Sequence, residues 1–198
     1  MARTLVVATR NRKKFEEMVA ILRGAPVVLK SLDDFAPVEP VAETGDTFES
    51  NARRKALGYA RATGEWALAD DSGLEIDALG GKPGVRSSRW GGEEGNDRLN
   101  NETLVRALAD IPADARTARY RCVMVLATPD EVLAVTEGAC EGRLVDRPAG
   151  SNGFGYDPYF RLPEHGCTMA QLAPEVKNGL SHRARALAAM KKRLEKLL

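Results

Sequence analysis

Short apolar runs alternate with segments of helical periodicity at the start of this chain, and this alternation is the feature that most constrains its fold. Leu5 to Ala8 is a continuous apolar run, which predicts a short buried strand. The apolar residues between Phe15 and Leu22 follow helical spacing, and Val27 to Leu29 is a second apolar run. The chain therefore opens as strand, helix and strand, an order typical of α/β domains.

The remaining residues continue this mixture of strands and helices. The further predicted elements are a helix capped by Asp46 and Glu49, a strand from Trp66 to Ala69 that ends at Asp70, a helix from Asp97 to Ala109, a hairpin of Tyr120 to Thr128 with Val132 to Cys140, and a last helix capped by Ser181. At 198 residues the chain has the length of one domain. We therefore predict a single α/β domain with a mixed sheet, spanning residues 1–198.

Charge and cysteine content narrow the class of protein. The 29 Lys and Arg residues nearly balance the 28 Asp and Glu residues, so the chain has no excess positive charge to hold a nucleic-acid polymer. The three cysteines form no C-x-x-C pair, which fits a reducing compartment and excludes the usual zinc finger. The first apolar run is too short for a signal peptide or a membrane span. We therefore expect a cytoplasmic protein that binds neither nucleic-acid polymers nor membranes.

A basic segment lies between the first strand and the first helix. Four of the six residues from Thr9 to Lys14 are Arg or Lys. Cations are unfavourable at a helix N-terminus, whereas the free N–H groups there attract anions. The segment therefore indicates a phosphate site, with a solvated first helical turn as the alternative. It is not a Walker loop, because the chain has no G-x-x-x-x-G-K-[ST].

Two adjacent carboxylates, Asp70 and Asp71, follow the predicted strand that ends at Ala69, and Ser72-Gly73 comes next. Neighbouring carboxylates repel one another unless a cation or hydrogen bonds compensate. Open α/β sheets bind ligands beyond the carboxyl ends of their strands, and Mg²⁺ is bound through carboxylates together with substrate phosphates. The pair therefore suits a magnesium–nucleotide site, although an Asp-Ser-Gly turn explains the same residues.

A glycine-rich loop between Ser151 and Pro158 carries an aromatic residue flanked by glycines. Phe154 offers a stacking face, and the glycines let the backbone lie close to a flat ligand. Asp157 is placed to accept hydrogen bonds from a base or a sugar. The loop therefore suits a nucleobase, unless Phe154 only packs against the protein.

Other polar residues near helix starts are further candidates. Lys177, His182 and Arg183 gather near the start of the last helix, where anions are favoured, although His182 serves equally well as a structural cap. Glu43 precedes the second helix and is either a metal carboxylate or an exposed loop residue. With only two histidines in the sequence, a multi-histidine metal site cannot form.

Matching blocks of residues run in a fixed order from the first strand to the last helix. They are Ala8-Thr9-Arg10-Asn11 with Lys14, Glu43 to Phe48 with Asn51-Ala52 and Lys55-Ala56, Ala69 to Leu74, Gly81 to Val85, Pro148 to Gly150, Gly153 to Pro158, and Lys177 with Ser181-His182-Arg183. Together these blocks resemble the inosine triphosphate pyrophosphatase family. A chance match across so many ordered blocks would be rare.

The resemblance implies a fold and an activity. The fold would be an elongated mixed β-sheet flanked by helices that form two lobes, with the active-site cleft between them. The protein would be a homodimer. It would use Mg²⁺ to cleave the α–β phosphate bond of deaminated purine nucleoside triphosphates (ITP, dITP and XTP), giving the monophosphate and pyrophosphate and so cleansing the nucleotide pool.

The resemblance also implies roles for individual residues. The triphosphate would be held by Thr9, Arg10, Asn11, Arg12, Lys13 and Lys14. Asp71 would be the proton acceptor and a magnesium ligand, with Asp70 as its support and Glu43 as the second metal carboxylate. The remaining substrate contacts would come from Ser72, from Phe154, Gly155, Tyr156 and Asp157 on the base and sugar, and from Lys177, His182 and Arg183 on the base and phosphates.

Arg10 departs from the family pattern, which often has glycine at this position. Arginine lacks the freedom of glycine to adopt a positive φ, so we expect an ordinary backbone conformation there. Its guanidinium would then supply an additional phosphate contact.

Two other functions fit the same motifs. One is a related house-cleaning pyrophosphatase that acts on other modified nucleotides, such as modified pyrimidines. The other is a regulatory module that binds a nucleotide without hydrolysing it. Asp71 distinguishes this module from an enzyme, because pure binding needs no acid at the end of that strand.

Overall fold

The computed structural model describes residues 2–198, which form two compact units. The first unit contains the residues up to Asp71, Cys122–Gly138 and Arg183–Leu198. The second unit contains Ser72–Arg121 and Ala139–His182. The chain therefore passes repeatedly from one unit to the other, and the first of these passages falls between the adjacent residues Asp71 and Ser72.

Strands and helices are interleaved throughout the described residues. The strands are β1 (Arg3–Val7), β2 (Val27–Lys30), β3 (Trp66–Ile76), β4 (Thr117–Ala127), β5 (Val132–Leu144), β6 (Phe160–Leu162) and β7 (Cys167–Thr168). The helices are α1 (Arg12–Leu22), α2 (Phe48–Thr63), α3 (Asp97–Leu108), α4 (Pro174–Leu180) and α5 (His182–Leu197). Short 3₁₀ segments cover Leu32–Asp34, Asp77–Leu79, Gly84–Arg89, Ala113–Ala115, Pro163–His165 and Met169–Gln171.

The strands form one mixed sheet in the order β2-β1-β3-β4-β5-β6-β7. Strand β1 pairs in parallel with both β2 and β3, and Val7 lies opposite Leu68 in the second of these pairings. At the other edge, β6 pairs antiparallel with both β5 and β7. The sheet thus combines parallel and antiparallel pairs, and the predicted α/β fold class with a mixed sheet is confirmed.

The first unit has its own hydrophobic core between the sheet, α1 and α5. Leu5 on β1, Met18 on α1 and Leu187 on α5 are fully buried in it. The helical spacing predicted between Phe15 and Leu22 thus places one face of α1 in this core. Burial of a side chain of this size contributes about 1.5–3 kcal/mol. At the starts of β1 and β3, the guanidinium of Arg3 lies 5.0 Å from the ring centroid of Trp66.

The second unit has a separate core. Leu74 on β3, Leu104 on α3 and Phe160 on β6 are fully buried there. Tyr156 belongs to the same core and meets Trp90 edge-on, with 6.3 Å between the ring centroids. The glycine-rich loop that precedes β6 is therefore anchored in the core by one of its own aromatic residues.

Some predicted features of the elements are wrong. Strand β3 does not end at Ala69 but continues to Ile76, so the Asp-Ser-Gly turn is not formed. Helix α2 is capped by Thr47, whose Oγ1 accepts a hydrogen bond from the Ser50 backbone N–H at 3.1 Å, because a threonine directly before the helix competes with the predicted cap one residue earlier. Lys177 lies on the short helix α4, which Pro174 begins, and not at the start of the last helix.

Among residues 2–198, no helix combines the length and the apolar character needed to cross a membrane.

Candidate active site

Asp70 is a buried carboxylate at the centre of a charge network in the first unit. It lies on β3, and its Oδ2 accepts a hydrogen bond from Lys14 Nζ at 2.8 Å. Arg183 Nε lies 3.7 Å from the same oxygen, while Arg183 Nη1 donates to Glu17 Oε2. Asp70 and Arg183 are each only 2% exposed. Two cations from α1 and α5 therefore converge on one strand carboxylate.

The opposite charges in this network keep both Asp70 and Arg183 ionised. Burial alone would raise the pKa of Asp70, but Lys14, Arg183 and Lys55 outweigh it and hold that pKa well below its ordinary value. Burial likewise opposes the charge of Arg183, yet Asp70 and Glu17 raise its pKa. Asp70 is therefore ionised throughout the physiological range, and it holds cations in place without accepting a proton.

Asp71, the next residue, has different surroundings. Its Oδ2 accepts a hydrogen bond from Asn51 Nδ2 at 3.0 Å, and its Oδ1 lies 3.7 Å from Lys55 Nζ. The same ammonium is 3.0 Å from Glu43 Oε1, so one cation serves two carboxylates. Asp71 is 5% exposed. Adjacent strand residues point to opposite faces, which explains why the two aspartates meet different partners.

Burial raises the pKa of Asp71 to about 6, although Lys55 and the hydrogen bond from Asn51 act to lower it and Glu43 acts to raise it further. Lys55 itself remains charged, because Asp70, Asp71 and Glu43 outweigh its own burial and raise its pKa. A carboxylate with a pKa near neutrality accepts a proton from water more readily than an ordinary aspartate. Asp71 is therefore the group in this network suited to general-base chemistry.

Two members of the site, Asn51 and Lys55, were given no role from the sequence. Both lie on the face of α2 that also carries Phe48, Ala52 and Tyr59, all of them buried. The signal was present in the periodicity, since a polar residue on the apolar face of a helix needs a partner inside the protein. Glu17 was also missed; it occupies α1 one turn after Lys14, within reach of Arg183.

The carboxylates of Glu43 and Asp71 fit the predicted magnesium ion. Lys55 Nζ lies near both, which shows that the pair shares a single cation in this arrangement. Mg²⁺ binds hard oxygen ligands and is usually held by one or two carboxylates completed by substrate phosphates and water. Among residues 2–198 no cluster of three or more His, Cys, Asp or Glu side chains suits a metal.

The basic segment after β1 forms the start of α1. Asn11 is the N-cap, and its Oδ1 accepts a hydrogen bond from the Lys14 backbone N–H at 3.1 Å. Asn11 N–H in turn donates to Thr9 Oγ1 at 3.2 Å. Arg12 pairs with Glu16 at the surface with 91% of its side chain exposed, and Lys13 is exposed as well. Of the four predicted cations, Lys14 is the one that pairs with the buried Asp70.

Arg10 adopts an ordinary backbone conformation, as expected, since no non-glycine residue within 2–198 has a positive φ. Its guanidinium donates to the Val38 carbonyl oxygen, which ties the basic segment to the loop after β2. A cavity of about 720 Å³ adjoins this contact and is lined by Thr9, Arg10, Arg12, Phe15, Ser31, Leu32, Asp33, Phe35, Pro37 and Val38. The predicted phosphate contact of Arg10 stays a prediction.

In the second unit, Asp157 organises the glycine-rich loop. Its Oδ2 accepts hydrogen bonds from Lys177 Nζ at 2.8 Å and from the Phe154 backbone N–H at 2.9 Å. The ammonium of Lys177 also lies 4.7 Å from the ring centroid of Phe154. A Cβ on Gly153, whose φ is +76°, would come within 2.1 Å of the same carboxylate oxygen. Glycine is therefore required for this close approach.

The neighbouring loop residues are held by α3 and by the core. Asp97 Oδ2 accepts a hydrogen bond from the Gly155 N–H at 2.9 Å, and Asn101 Nδ2 donates to the Gly155 carbonyl oxygen at 3.0 Å. Tyr156 is 4% exposed, and its hydroxyl donates to the Ser87 carbonyl oxygen at 2.7 Å. The loop is thus fixed before any ligand binds.

The predicted set of Lys177, His182 and Arg183 is divided between two networks. Lys177 pairs with Asp157 in the second unit, whereas Arg183 pairs with Glu17 and Asp70 in the first. His182 is 6% exposed and stacks on Tyr120 with 4.8 Å between ring centroids. Ser72 lies on β3, half-buried, directly after Asp71.

The raised pKa of Asp71 predicts that Asp71→Asn stabilises the metal-free protein at neutral and alkaline pH. An aspartate whose pKa rises on folding, from 3.8 to about 6, favours the folded state while protonated, and that advantage is lost as pH rises through 6. We expect the variant to gain between about 1 and 3 kcal/mol in free energy of unfolding at pH 8, and nothing below pH 4. Denaturant unfolding of both proteins with a chelator, from pH 4 to 8, measures this. An equal difference at every pH would contradict it.

Comparisons with known proteins agree with the geometry. A family model described as the Ham1 family matches residues 5–193. The dITP/XTP pyrophosphatase of Shouchella clausii is 50% identical over 191 residues, covering 96% of each chain, and that of Geobacter sulfurreducens is 50% identical over 190 residues with the same coverage. A solved HAM1 protein from Coxiella burnetii matches with a TM-score of 0.89 and 38% identity, over 98% of this chain and 99% of that one. The resemblance seen in the sequence is thus confirmed, and the chain belongs to the Ham1 family.

Proposed function

We propose that this protein hydrolyses deaminated purine nucleoside triphosphates, such as dITP, XTP and ITP, to the monophosphate and pyrophosphate. Membership of the Ham1 family and the activity named for its relatives, dITP/XTP pyrophosphatase, support this function. The single observation that carries it is the buried Asp71, with a pKa of about 6, beside the cations Lys55 and Lys14. A proton acceptor next to positive charge is what hydrolysis of a polyphosphate requires.

The chemistry follows from the charges in the first unit. Asp71 takes a proton from a water molecule as the oxygen of that water attacks the α-phosphorus, and the bond from the α-phosphorus to the bridging oxygen breaks. Lys14 and Lys55 stabilise the negative charge that gathers on the phosphate oxygens. The N-terminus of α1 adds free backbone N–H groups that favour the same anion. The ionised Asp70 holds the ammonium of Lys14 in place through their hydrogen bond.

Magnesium belongs to the same proposal. Glu43 and Asp71 would hold the ion together with the phosphates, and the ion would neutralise phosphate charge when bound. Three residues that the family resemblance assigns to the base offer an aromatic face beside a buried ion pair: Phe154, Asp157 and Lys177. Their role in reading the base is part of the proposal.

Two further expectations accompany the proposed activity. We propose a cytoplasmic location, because the free cysteines, of which Cys122 and Cys140 are buried and Cys167 is half-buried, fit a reducing compartment. The homodimer implied by the resemblance stays a prediction, which the molecular mass in solution tests.

Pyrophosphate release from dITP, XTP, ITP, ATP and GTP, with and without Mg²⁺, tests the proposed function. We expect turnover of the three deaminated nucleotides at least about 100-fold faster than of ATP, because a site built to donate to a 6-keto group leaves donors unpaired against an amino group. We expect the activity to depend on Mg²⁺. Equal rates for ATP and ITP would contradict the substrate class, and orthophosphate as the first product would contradict attack at the α-phosphorus.

A further inference from the structure

Asn51 is a buried polar side chain that the proposed chemistry does not yet use. It lies on α2 and is 0% exposed. Its Oδ1 accepts a hydrogen bond from the Gly45 N–H at 2.7 Å, and its Nδ2 donates to the Gly45 carbonyl oxygen at 3.3 Å and to Asp71 Oδ2 at 3.0 Å. A single amide thus joins one backbone unit to the proposed general base.

We propose that Asn51 is a positioning residue, which holds the carboxylate of Asp71 in the orientation that the reaction needs and joins it to the segment that carries Glu43. This inference rests on the proposed role of Asp71 as the general base. Asn51 itself touches neither the substrate nor the attacking water in this proposal, so its effect is exerted through Asp71.

The Gly45 backbone determines which end of the Asn51 amide faces Asp71. The Gly45 N–H requires an acceptor, and Oδ1 is the only acceptor that the amide offers. The amide nitrogen must then face the carboxylate, where its N–H donates to a charged oxygen. Turning the amide over would lose the bond from Gly45 N–H and bring two oxygen atoms together at Asp71. The orientation of Asn51 is therefore fixed before substrate binds.

Gly45 is suited to this contact because it has no side chain. A Cβ at this position would lie 2.8 Å from Asn51 Oδ1 and 2.0 Å from Ser50 Oγ, which is too close for either atom. Glu43 stands two residues earlier in the same segment and pairs with Lys55, the ammonium that also faces Asp71. The Asn51 amide therefore joins Asp71 to the backbone of the segment that carries Glu43.

This arrangement predicts that the loss of the amide lowers turnover more than substrate binding. A hydrogen bond to a charged group is stronger than one between neutral groups, and small errors in the placement of a reacting group cost large factors in rate. Lys14, one of the cations that attract the triphosphate, pairs with Asp70 and not with Asn51. The Michaelis constant should therefore change little.

The test compares Asn51→Ser and Asn51→Asp with the full-length wild-type protein, using pyrophosphate release from dITP with Mg²⁺. We expect Asn51→Ser to lower kcat about 10- to 100-fold and to change KM by less than about threefold. Asn51→Asp should lower kcat further, because it keeps an acceptor for Gly45 but places a second carboxylate against Asp71. If Asn51→Asp does not fold, Asn51→Ser decides the question.

A matched control is Asn100 on α3, a second buried asparagine that binds backbone. It is 2% exposed, its Oδ1 accepts from the Gly91 N–H at 2.7 Å, and its Nδ2 donates to the Ser88 carbonyl oxygen at 3.0 Å. Both of its partners belong to the second unit, whereas Asp71 and Glu43 belong to the first. Asn100→Ser should therefore lower the melting temperature about as much as Asn51→Ser does, while kcat stays within about twofold of wild type.

The outcomes separate this inference from the proposed function. The positioning role is supported if Asp71→Asn abolishes turnover, Asn51→Ser lowers kcat as stated and Asn100→Ser leaves kcat unchanged. The role of Asn51 alone is overturned if Asp71→Asn abolishes turnover but the kcat of Asn51→Ser stays within twofold of wild type. Equal losses of kcat in the two serine variants also overturn it, because they indicate a general loss of structure. A wild-type protein that releases no pyrophosphate from dITP overturns both proposals.

Discussion

Asp71→Asn is expected to lower kcat for dITP hydrolysis about 10³-fold while the protein stays folded. The substitution removes the proton acceptor and one of the two carboxylates proposed to hold magnesium, and general-base catalysis alone contributes about 10²- to 10⁴-fold. An asparagine of nearly the same shape still packs at this position, so the fold should persist. Steady-state kinetics with Mg²⁺ and circular dichroism of the same preparation measure the two parts of this prediction.

The control for Asp71→Asn is a direct binding measurement. Titration calorimetry of the variant with dITP should show a dissociation constant within about tenfold of the wild-type KM, because Lys14 and the start of α1 are unchanged. A variant that binds dITP and still turns it over at more than a tenth of the wild-type rate would contradict the assignment of Asp71. That result would also exclude the alternative hypothesis that the protein is a regulatory module that binds a nucleotide without hydrolysing it.

Arg183→Met is expected to lower the free energy of unfolding by about 3 kcal/mol or more. Arg183 is 2% exposed and pairs with both Asp70 and Glu17, so its removal leaves two carboxylates in the interior with less compensation. Removing one partner of a buried ion pair typically costs about 3–5 kcal/mol, because the remaining charge stays buried. Urea unfolding at pH 7 gives the value directly.

Arg12→Met is the matched control for this loss of stability. Arg12 also pairs with a glutamate, Glu16, but its side chain is 91% exposed, so no measurable change in stability is expected. Arg183→Lys should fall between the two, because lysine keeps the charge but cannot span Asp70 and Glu17 with one planar group. If Arg183→Met lost no more stability than Arg12→Met, the buried network would not contribute as described.

Much of the fold could be predicted from the sequence, because it depends on periodicity. Helix α1 and strand β1 follow from the spacing of their apolar residues. The end of β3 could not be predicted in this way. Two aspartates after a buried run indicate a turn unless Lys14, Arg183 and Asn51 are known to compensate them, and these partners are distant in the sequence.

The candidate site, like the fold, could be predicted from the sequence only in part. Thr9 to Lys14 and the pair Asp70 and Asp71 were found from composition and from their place beside strands. The family resemblance implies that Asp71 is the proton acceptor and Asp70 its support, but the sequence does not contain the physical cause: Asp70 is held as a permanent anion, whereas Asp71 has a pKa of about 6. That difference arises because the two side chains point to opposite faces of β3 and meet different cations there.

The two tryptophans give the protein an intrinsic pair of optical reporters. Trp66 lies beside Arg3 in the first unit and Trp90 meets Tyr156 in the second, and the sequence contains no other tryptophan. Replacing either one with phenylalanine leaves fluorescence from a single unit. Emission from Trp66 then reports the melting of the first hydrophobic core, while emission from Trp90 follows the loop that Tyr156 anchors, without any added dye.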